Sequence, residues 1–246
     1  MKSQKTTSKQ VRLNKFLSDA GLDSRRKVEE LILTGRIDIN GVTVMELTAK
    51  VDPDKDVVTV DGEKIKTEEK VYYILHKPKG YITTTSDEKD RAKVTDLIRT
   101  SKRIFPVGRL DRDTTGILIL TNDGDFANIL MHPKHNIERE YIVKLDRELL
   151  DADKERFVNT GVYLDKKKRT FKKVYTVSKK TTKYYNVITN EGQYHFVKKM
   201  FNALGYKVES LHRLRFGDFT ADHIKVGSYI KLDKQIIQNF LEKHVK

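Results

Sequence analysis

Apolar positions change spacing several times along the chain, and each change marks an element. Leu13, Phe16, Leu17 and Ala20 recur at helical spacing, and Gly21 follows as a stop signal. Ser24 offers an N-cap to a second helix holding Val28, Leu31 and Ile32, which Gly35 closes. Residues 37–44 then alternate around Asn40-Gly41, the strongest short signal for a hairpin. The pattern predicts a helix-helix-hairpin unit over residues 11–60, preceded by a disordered basic tail at 1–10 and followed by a polar linker at 61–70. Val71, Tyr72, Tyr73, Ile74 and Leu75 open the first strand of a larger domain, residues 71–246.

Within that domain, the polar stretch from Gly108 to Gly116 runs straight into Ile117, Leu118, Ile119 and Leu120. Branched apolar residues in succession, bounded by Asn122, Asp123 and Gly124, suit a strand covered on both faces. Such a strand is a rigid support, so Asp111, just ahead of it, is a carboxylate that can be presented to a bulky substrate. Phe126, Ile129, Leu130 and Met131 indicate a helix after the Asp-Gly turn, with His132 and His135 at its end. Residues 165–183 hold nine Lys or Arg against one acidic residue, and Phe171, Val174 and Tyr175 there suit strand pairing. A basic hairpin of that kind can lie against a phosphate backbone without reading sequence.

The formal net charge is +14 over 246 residues, divided as +3 for residues 1–10, −2 for 11–70 and +13 for 71–246. This makes nucleic acid the leading class of partner and puts the electrostatic footprint on the larger domain. Cysteine is absent, which removes disulfides, thiolate nucleophiles and zinc ribbons together. No apolar stretch near the start is long enough for a secretory signal or membrane span, so a cytoplasmic protein with no membrane partner is expected.

Several readings of Asp111 are open from the residues alone. It can act as a single catalytic carboxylate, pair with Asp113 as in a glycosidase, or belong to an ordinary surface turn. His132 and His135 near Asp123 and Asp125 have a spacing that permits two metal ligands, but a structural ending to the helix outweighs it, and no metal ligand is assigned.

The motifs narrow these readings. Gly108, Arg109, Leu110, Asp111, Thr114 and Gly116 with the apolar strand resemble the central motif of the pseudouridine synthases. Glu138-Arg139-Glu140-Tyr141, the segment from Glu191 to Met200, and His76 to Tyr81 resemble three further motifs of that family. Leu211 to Gly217 follows the style of its small-subunit branch. In the first unit, Arg12 to Leu17, Gly21, Ser24 to Arg26, Gly35 and Ile39 to Gly41 resemble the S-four RNA-binding module, with Asn14 where Asp is usual.

The resemblance implies an α+β protein, in which a small helix-helix-hairpin module precedes a catalytic domain built on a mostly antiparallel mixed sheet flanked by helices. It implies Asp111 as the catalytic carboxylate and a structural role for Asp113. Arg109 would stack in the place an everted base vacates, Tyr141 would pack on the extruded uracil, Val197 would form an apolar floor, and Lys198 would hold Asp111 ionised. Phe196 stands where Gln is expected, so any hydrogen bond made by that amide is missing. Arg12, Lys15, Arg25, Arg26, Lys27 and Arg36 are the implied RNA contacts of the small module. Isomerising uridine breaks the C1′–N1 bond and joins C5 to C1′ with no net redox change, so no cofactor is expected. Whether the carboxylate adds covalently or takes a proton from C2′ is open.

The expected substrate is a uridine of small-subunit (16S) ribosomal RNA, on an assembling ribosomal particle and with the enzyme a monomer. Large-subunit RNA is the alternative target. Two rivals stand outside this class: a non-catalytic RNA-binding assembly factor, and a metal-dependent nuclease using Asp111, Asp113 and Asp123.

Overall fold

A computed structural model describes residues 10–178 and 181–245, with Thr181 described in its backbone alone. Nearly all of the basic tail expected at 1–10 lies outside the described residues. The chain divides into two compact units. One runs to Lys70 and includes Ser101–Arg103; the other holds Val71–Thr100 and Ile104 onward.

In the smaller unit, helices Leu13–Asp19 and Arg25–Leu33 pack over a four-stranded antiparallel sheet ordered Val42–Thr43, Ile37–Ile39, Val58–Val60, Glu63–Lys64. Leu13, Phe16, Leu17, Val28, Ile32, Ile37, Val51 and Val58 form its core. Ser24 caps the second helix by accepting from Lys27 N. Asn40 and Gly41, both at positive φ, make the two-residue turn of the expected hairpin. Asn14 donates to Glu29 Oε1 at 2.7 Å, tying the two helices; an aspartate there would face that carboxylate and repel it.

The stretch read as a linker is only partly one. Asp61 and Gly62, at φ 49° and 83°, form a second two-residue turn, and Glu63–Lys64 pairs with Val58–Val60, so the sheet extends past residue 60. Its alternation is invisible in the sequence because both faces of that edge strand are exposed.

The larger unit is built on a nine-stranded mixed sheet. Its main path runs Lys173–Ser178, Thr181–Thr189, Arg139–Leu145, Val208–Phe216, Thr115–Thr121, Tyr72–Lys77, Tyr229–Lys231. The Val208–Phe216 and Thr115–Thr121 pair is parallel; the other neighbours along this path are antiparallel. Ile117, Leu118, Ile119 and Leu120 are all fully buried, and they alternate between two cores. Leu118 and Leu120 join Tyr141, Val197 and Phe201 on one face, while Ile117 and Ile119 join Phe126, Ile237 and Phe240 on the other. Tyr141 comes from the Arg139–Leu145 strand and Val197 and Phe201 from helix Phe196–Asn202; opposite, Phe126 comes from helix Gly124–Met131, and Ile237 and Phe240 from helix Lys234–His244. The basic run forms two hairpin arms where one was expected, because Asp165 and Lys166 at positive φ turn Val162–Leu164 back on Lys167–Arg169 before Lys173–Ser178 begins. Among the described residues no helix is long and apolar enough to cross a membrane.

Gly116 sits where the parallel pair begins, opposite Arg213, with φ 106°. A Cβ there would overlap the Arg213 carbonyl and amide. Gly41 also has positive φ but open space around it. Gly116→Ala is therefore expected to lower stability by about 3 kcal/mol or more, and Gly41→Ala by only about 1 kcal/mol. Denaturant unfolding checks this, and equal losses would contradict the close approach at Gly116.

Candidate active site

The loop before the Thr115–Thr121 strand is held from beneath by a lysine. Lys77 is fully buried at a strand end and donates to the carbonyl oxygens of Pro78 at 3.0 Å, Arg112 at 3.4 Å and Thr114 at 2.9 Å. Thr83 Oγ1 donates to Leu110 O at 2.6 Å, and Gly80 N donates to Arg112 O at 2.8 Å. The loop carrying Asp111 is thus pinned along its length by the segment that follows the Tyr72–Lys77 strand.

Asp111 meets helix Phe196–Asn202 at its first turn. Lys198 Nζ lies 2.8 Å from Asp111 Oδ2, and His195 Nε2 lies 2.9 Å from Oδ1. Each carboxylate oxygen thus has its own donor, which fixes the rotation of the group. His195 is the N-cap residue in a left-handed conformation, φ 56°, strained for a residue with a Cβ. Lys198 also reaches Asp113 Oδ1 and Oδ2 at 3.0 and 3.1 Å. Burial works against the Lys198 charge, but hydrogen bonds to Asp111 and Asp113 outweigh it and hold this lysine above its usual value. Burial likewise opposes the charge on Asp113, yet Lys198 keeps its carboxyl below the usual range.

Asp111 opens on a pocket of about 580 Å³, lined among others by Arg109, Tyr141, Phe196, Val197, Arg139 and Arg213. That volume suits a nucleoside-sized ligand. Arg109 is exposed at the pocket and has no ion-pair partner among the described residues. Tyr141 and Val197 are buried against each other's core. Phe196 packs edge-on against Phe171, with ring centres 5.8 Å apart, so an apolar contact occupies the place where an amide was expected.

Two buried arginines lie under the pocket. Arg139 donates to the carbonyls of Asn190 and Leu130, and Arg213 donates Nε to Ile117 O at 2.8 Å, while its buried Nη2 has no hydrogen-bond partner among the described residues. Both guanidinium groups lie within 5 Å of the Phe216 ring. Burial lowers both from the usual arginine value, against the attraction of Tyr141.

The structure thus brings together Arg109, Asp111, Tyr141, Val197 and Lys198, the residues singled out from sequence. It adds His195, Lys77, Arg139 and Arg213, which that reading did not assign. His195 was visible only as one residue of a matched segment. Arg139 and Arg213 fall on inward positions of alternating strands, a signal that was available. In the smaller unit, Arg12, Arg25, Arg26 and Lys27 are exposed, and Lys27 pairs with Asp23 at 3.7 Å. Lys15 lies 3.8 Å from Asp19, and Arg36 forms a two-point ion pair with Asp61, its Nε 2.9 Å from Oδ1. Arg36 therefore also supports the Asp61-Gly62 turn.

Asp123 does not join this site. It lies at the far end of a seven-residue strand, about 20 Å from the loop. Its Oδ1 caps helix Gly124–Met131 through Asp125 N and Phe126 N, and its Oδ2 accepts from Tyr72. The nuclease trio of Asp111, Asp113 and Asp123 is thereby removed by geometry. His132 ends the helix and accepts from Lys134 N, and His135 falls in the short turn beyond.

A loop carboxylate ahead of a buried strand, held by a helix start beside an aromatic-lined pocket, has the makings of a catalytic site, and the comparisons with known proteins agree. Residues 71–213 match the family described as RNA pseudouridylate synthase, and residues 11–57 match the S4 domain. A ribosomal large subunit pseudouridine synthase B of Bacillus subtilis (strain 168) is 42% identical over 210 residues, covering 82% of this chain and 84% of that protein. An uncharacterized RNA pseudouridine synthase of Aquifex aeolicus (strain VF5) is 38% identical over 234 residues, covering 92% and 91%. The crystal structure of a pseudouridylate synthase superposes with a TM-score of 0.66 at 28% identity, over 94% of this chain and 99% of that one. The chain belongs to the RNA pseudouridylate synthase family and is an isomerase acting on RNA.

Burial lowers the Lys77 ammonium from 10.5 to about 8, with Asp113 and Asp111 acting the other way. The folded state binds this proton more weakly than the unfolded chain, so the stability of the wild type relative to Lys77→Met rises with pH between about 8 and 10.5. Urea unfolding across that interval measures the difference; a flat difference would show that the ammonium carries no burial penalty.

Proposed function

We propose that the protein converts a uridine of ribosomal RNA to pseudouridine, with Asp111 as the reacting carboxylate. The observation that carries this reading is the Asp111 carboxylate, bound by Lys198 at 2.8 Å and His195 at 2.9 Å at the edge of the pocket lined by Tyr141 and Val197. A uridine swung out of folded RNA enters that pocket, and Arg109 fills the place it leaves. The uracil packs between the Tyr141 ring and Val197. The Tyr141 hydroxyl, as donor or acceptor, can hydrogen bond to the uracil while its ring packs on the base.

Asp111 then either adds to C1′ or takes a proton from C2′. If it adds to C1′, the C1′–N1 pair departs with the uracil, the ring turns and C5 bonds to C1′ as the ester bond to Asp111 breaks; if it takes the C2′ proton, the same pair departs as a glycal forms, C5 then bonds to C1′ and the proton returns to C2′. In both routes the C5 proton is finally removed while N1 gains one. Lys198 and His195 hold the carboxylate aimed during these steps, acting as positioning residues. Asp113 supports Lys198 and has no part in bond making.

Exposed Arg25, Arg26 and Lys27 at the start of a helix give the smaller unit a phosphate-gripping surface, and Arg12, Lys15 and Arg36 are its further candidate RNA contacts. Large-subunit RNA is the target favoured by the name of the 42% identical relative. The small-subunit reading rests on the style of Leu211 to Gly217 alone. An assembling ribosomal particle, a cytoplasmic setting and a monomeric enzyme complete the proposal.

Pseudouridine mapping by carbodiimide primer extension, on both ribosomal RNAs from cells with and without the gene, separates the subunits: one lost stop names the target, and none leaves only the assembly-factor reading. Asp111→Asn is expected to cut isomerisation by at least about a thousandfold, and Asp113→Asn by no more than about tenfold. Comparable losses in the two variants would favour the paired-carboxylate reading. Arg25→Glu with Arg26→Glu is expected to weaken RNA binding and to flatten its dependence on salt, and an unchanged slope would remove the phosphate role.

A further inference from the structure

Beside the pocket the structure leaves an aromatic ring that the reaction itself does not use. Tyr194 is 64% exposed, and Gln193 and His195 on either side of it line the pocket while it does not. The left-handed backbone at His195 reverses the chain direction, which turns Tyr194 outward from a segment otherwise facing the site. Its ring lies 3.7 Å from the imidazole of His195 at an interplanar angle of 20°, a parallel stack. The Lys199 ammonium stands 6.0 Å from the ring centre and 3.9 Å from the exposed Asp165 carboxylate, a loose surface pair that a phosphate can displace, and the phenol hydroxyl has no hydrogen-bond partner among the described residues.

An exposed tyrosine stacked on one side is held in place before any ligand arrives, so little rotamer freedom is lost when a second flat group lies on it. A nucleobase is such a group, and a neighbouring ammonium suits the phosphate that follows it. We infer that Tyr194, with Lys199, forms a stacking subsite for a nucleobase flanking the everted uridine, outside the pocket and independent of base identity. This rests on the reading that a uridine occupies the pocket beside Asp111. Because His195 lies between Tyr194 and Asp111, the strand held on the ring abuts the residue that aims the carboxylate.

The test uses the full chain and two fluorescein-labelled probes at low salt: an oligouridylate nonamer, and an abasic nonamer with the same sugar-phosphate backbone. Fluorescence anisotropy of Tyr194→Ala is expected to show about a tenfold weaker affinity for the oligouridylate and no change for the abasic probe. Tyr194→Phe, which keeps the ring, is expected to bind both as the wild type does. An unchanged affinity of Tyr194→Ala for oligouridylate overturns the subsite. So does an equal loss on both probes, which marks a general change in the surface. Wild-type isomerisation of ribosomal RNA, followed in parallel, reports on the pocket reading by itself; its absence would remove that reading while the anisotropy comparison still decides whether the ring binds bases.

Discussion

The ion contact between Asp111 and the first turn of helix Phe196–Asn202 is the constraint on which the site depends. A carboxylate on an exposed loop would sample several rotamers and point anywhere. Here one oxygen accepts from Lys198 and the other from His195, so the group has a single aim. Both sides of that contact are anchored deep in the domain. The loop is continuous with a strand buried on both faces and rests on Lys77, while the helix presses Phe196, Val197, Met200 and Phe201 into the same core. The strained backbone at His195 is the local cost of bringing its imidazole and Lys198 to the same carboxylate.

Charge is arranged around this contact in two layers. At the rim of the pocket, Lys198 is paired with Asp111 and Asp113. Arg139 and Arg213 below the pocket, and Lys77 beneath the loop, are buried and bond to backbone carbonyls, with no salt bridge to a carboxylate among the described residues. In a low-dielectric interior such charges act over longer distances and favour negative charge in the pocket above them. Carbonyl dipoles take up several of their N–H groups and offset part of the burial cost, while Arg213 Nη2 is left without a partner.

Much of the scaffold is legible in the chain because its strongest elements have strong local signals. Ile117 to Leu120 can hardly be anything but a doubly covered strand, and Asn40-Gly41 specifies its hairpin through backbone conformation alone. The Asp61-Gly62 turn carries the same signal, but Glu63 and Lys64 after it are exposed on both faces and show no apolar alternation. Asp111 stands out because of the strand it precedes. Lys198 as its partner was legible only through the resemblance, since nothing local links a lysine on one helix to a loop distant in sequence. His195 was hidden for the same reason, and its left-handed conformation has no signature in a residue other than glycine, asparagine or aspartate. Lys77 and Arg213 read as surface cations by type, and only the fold turns them inward.

The central claim is that Asp111 faces the ribose of an everted uridine. It is tested most directly by a crystal structure of the Asp111→Asn variant bound to the RNA segment that contains the modified position. The account predicts the target uracil between the Tyr141 ring and Val197, its C1′ turned toward residue 111, with Arg109 in the gap left in the RNA. A bound RNA whose bases all remain stacked outside, leaving the pocket beside residue 111 empty, would contradict it.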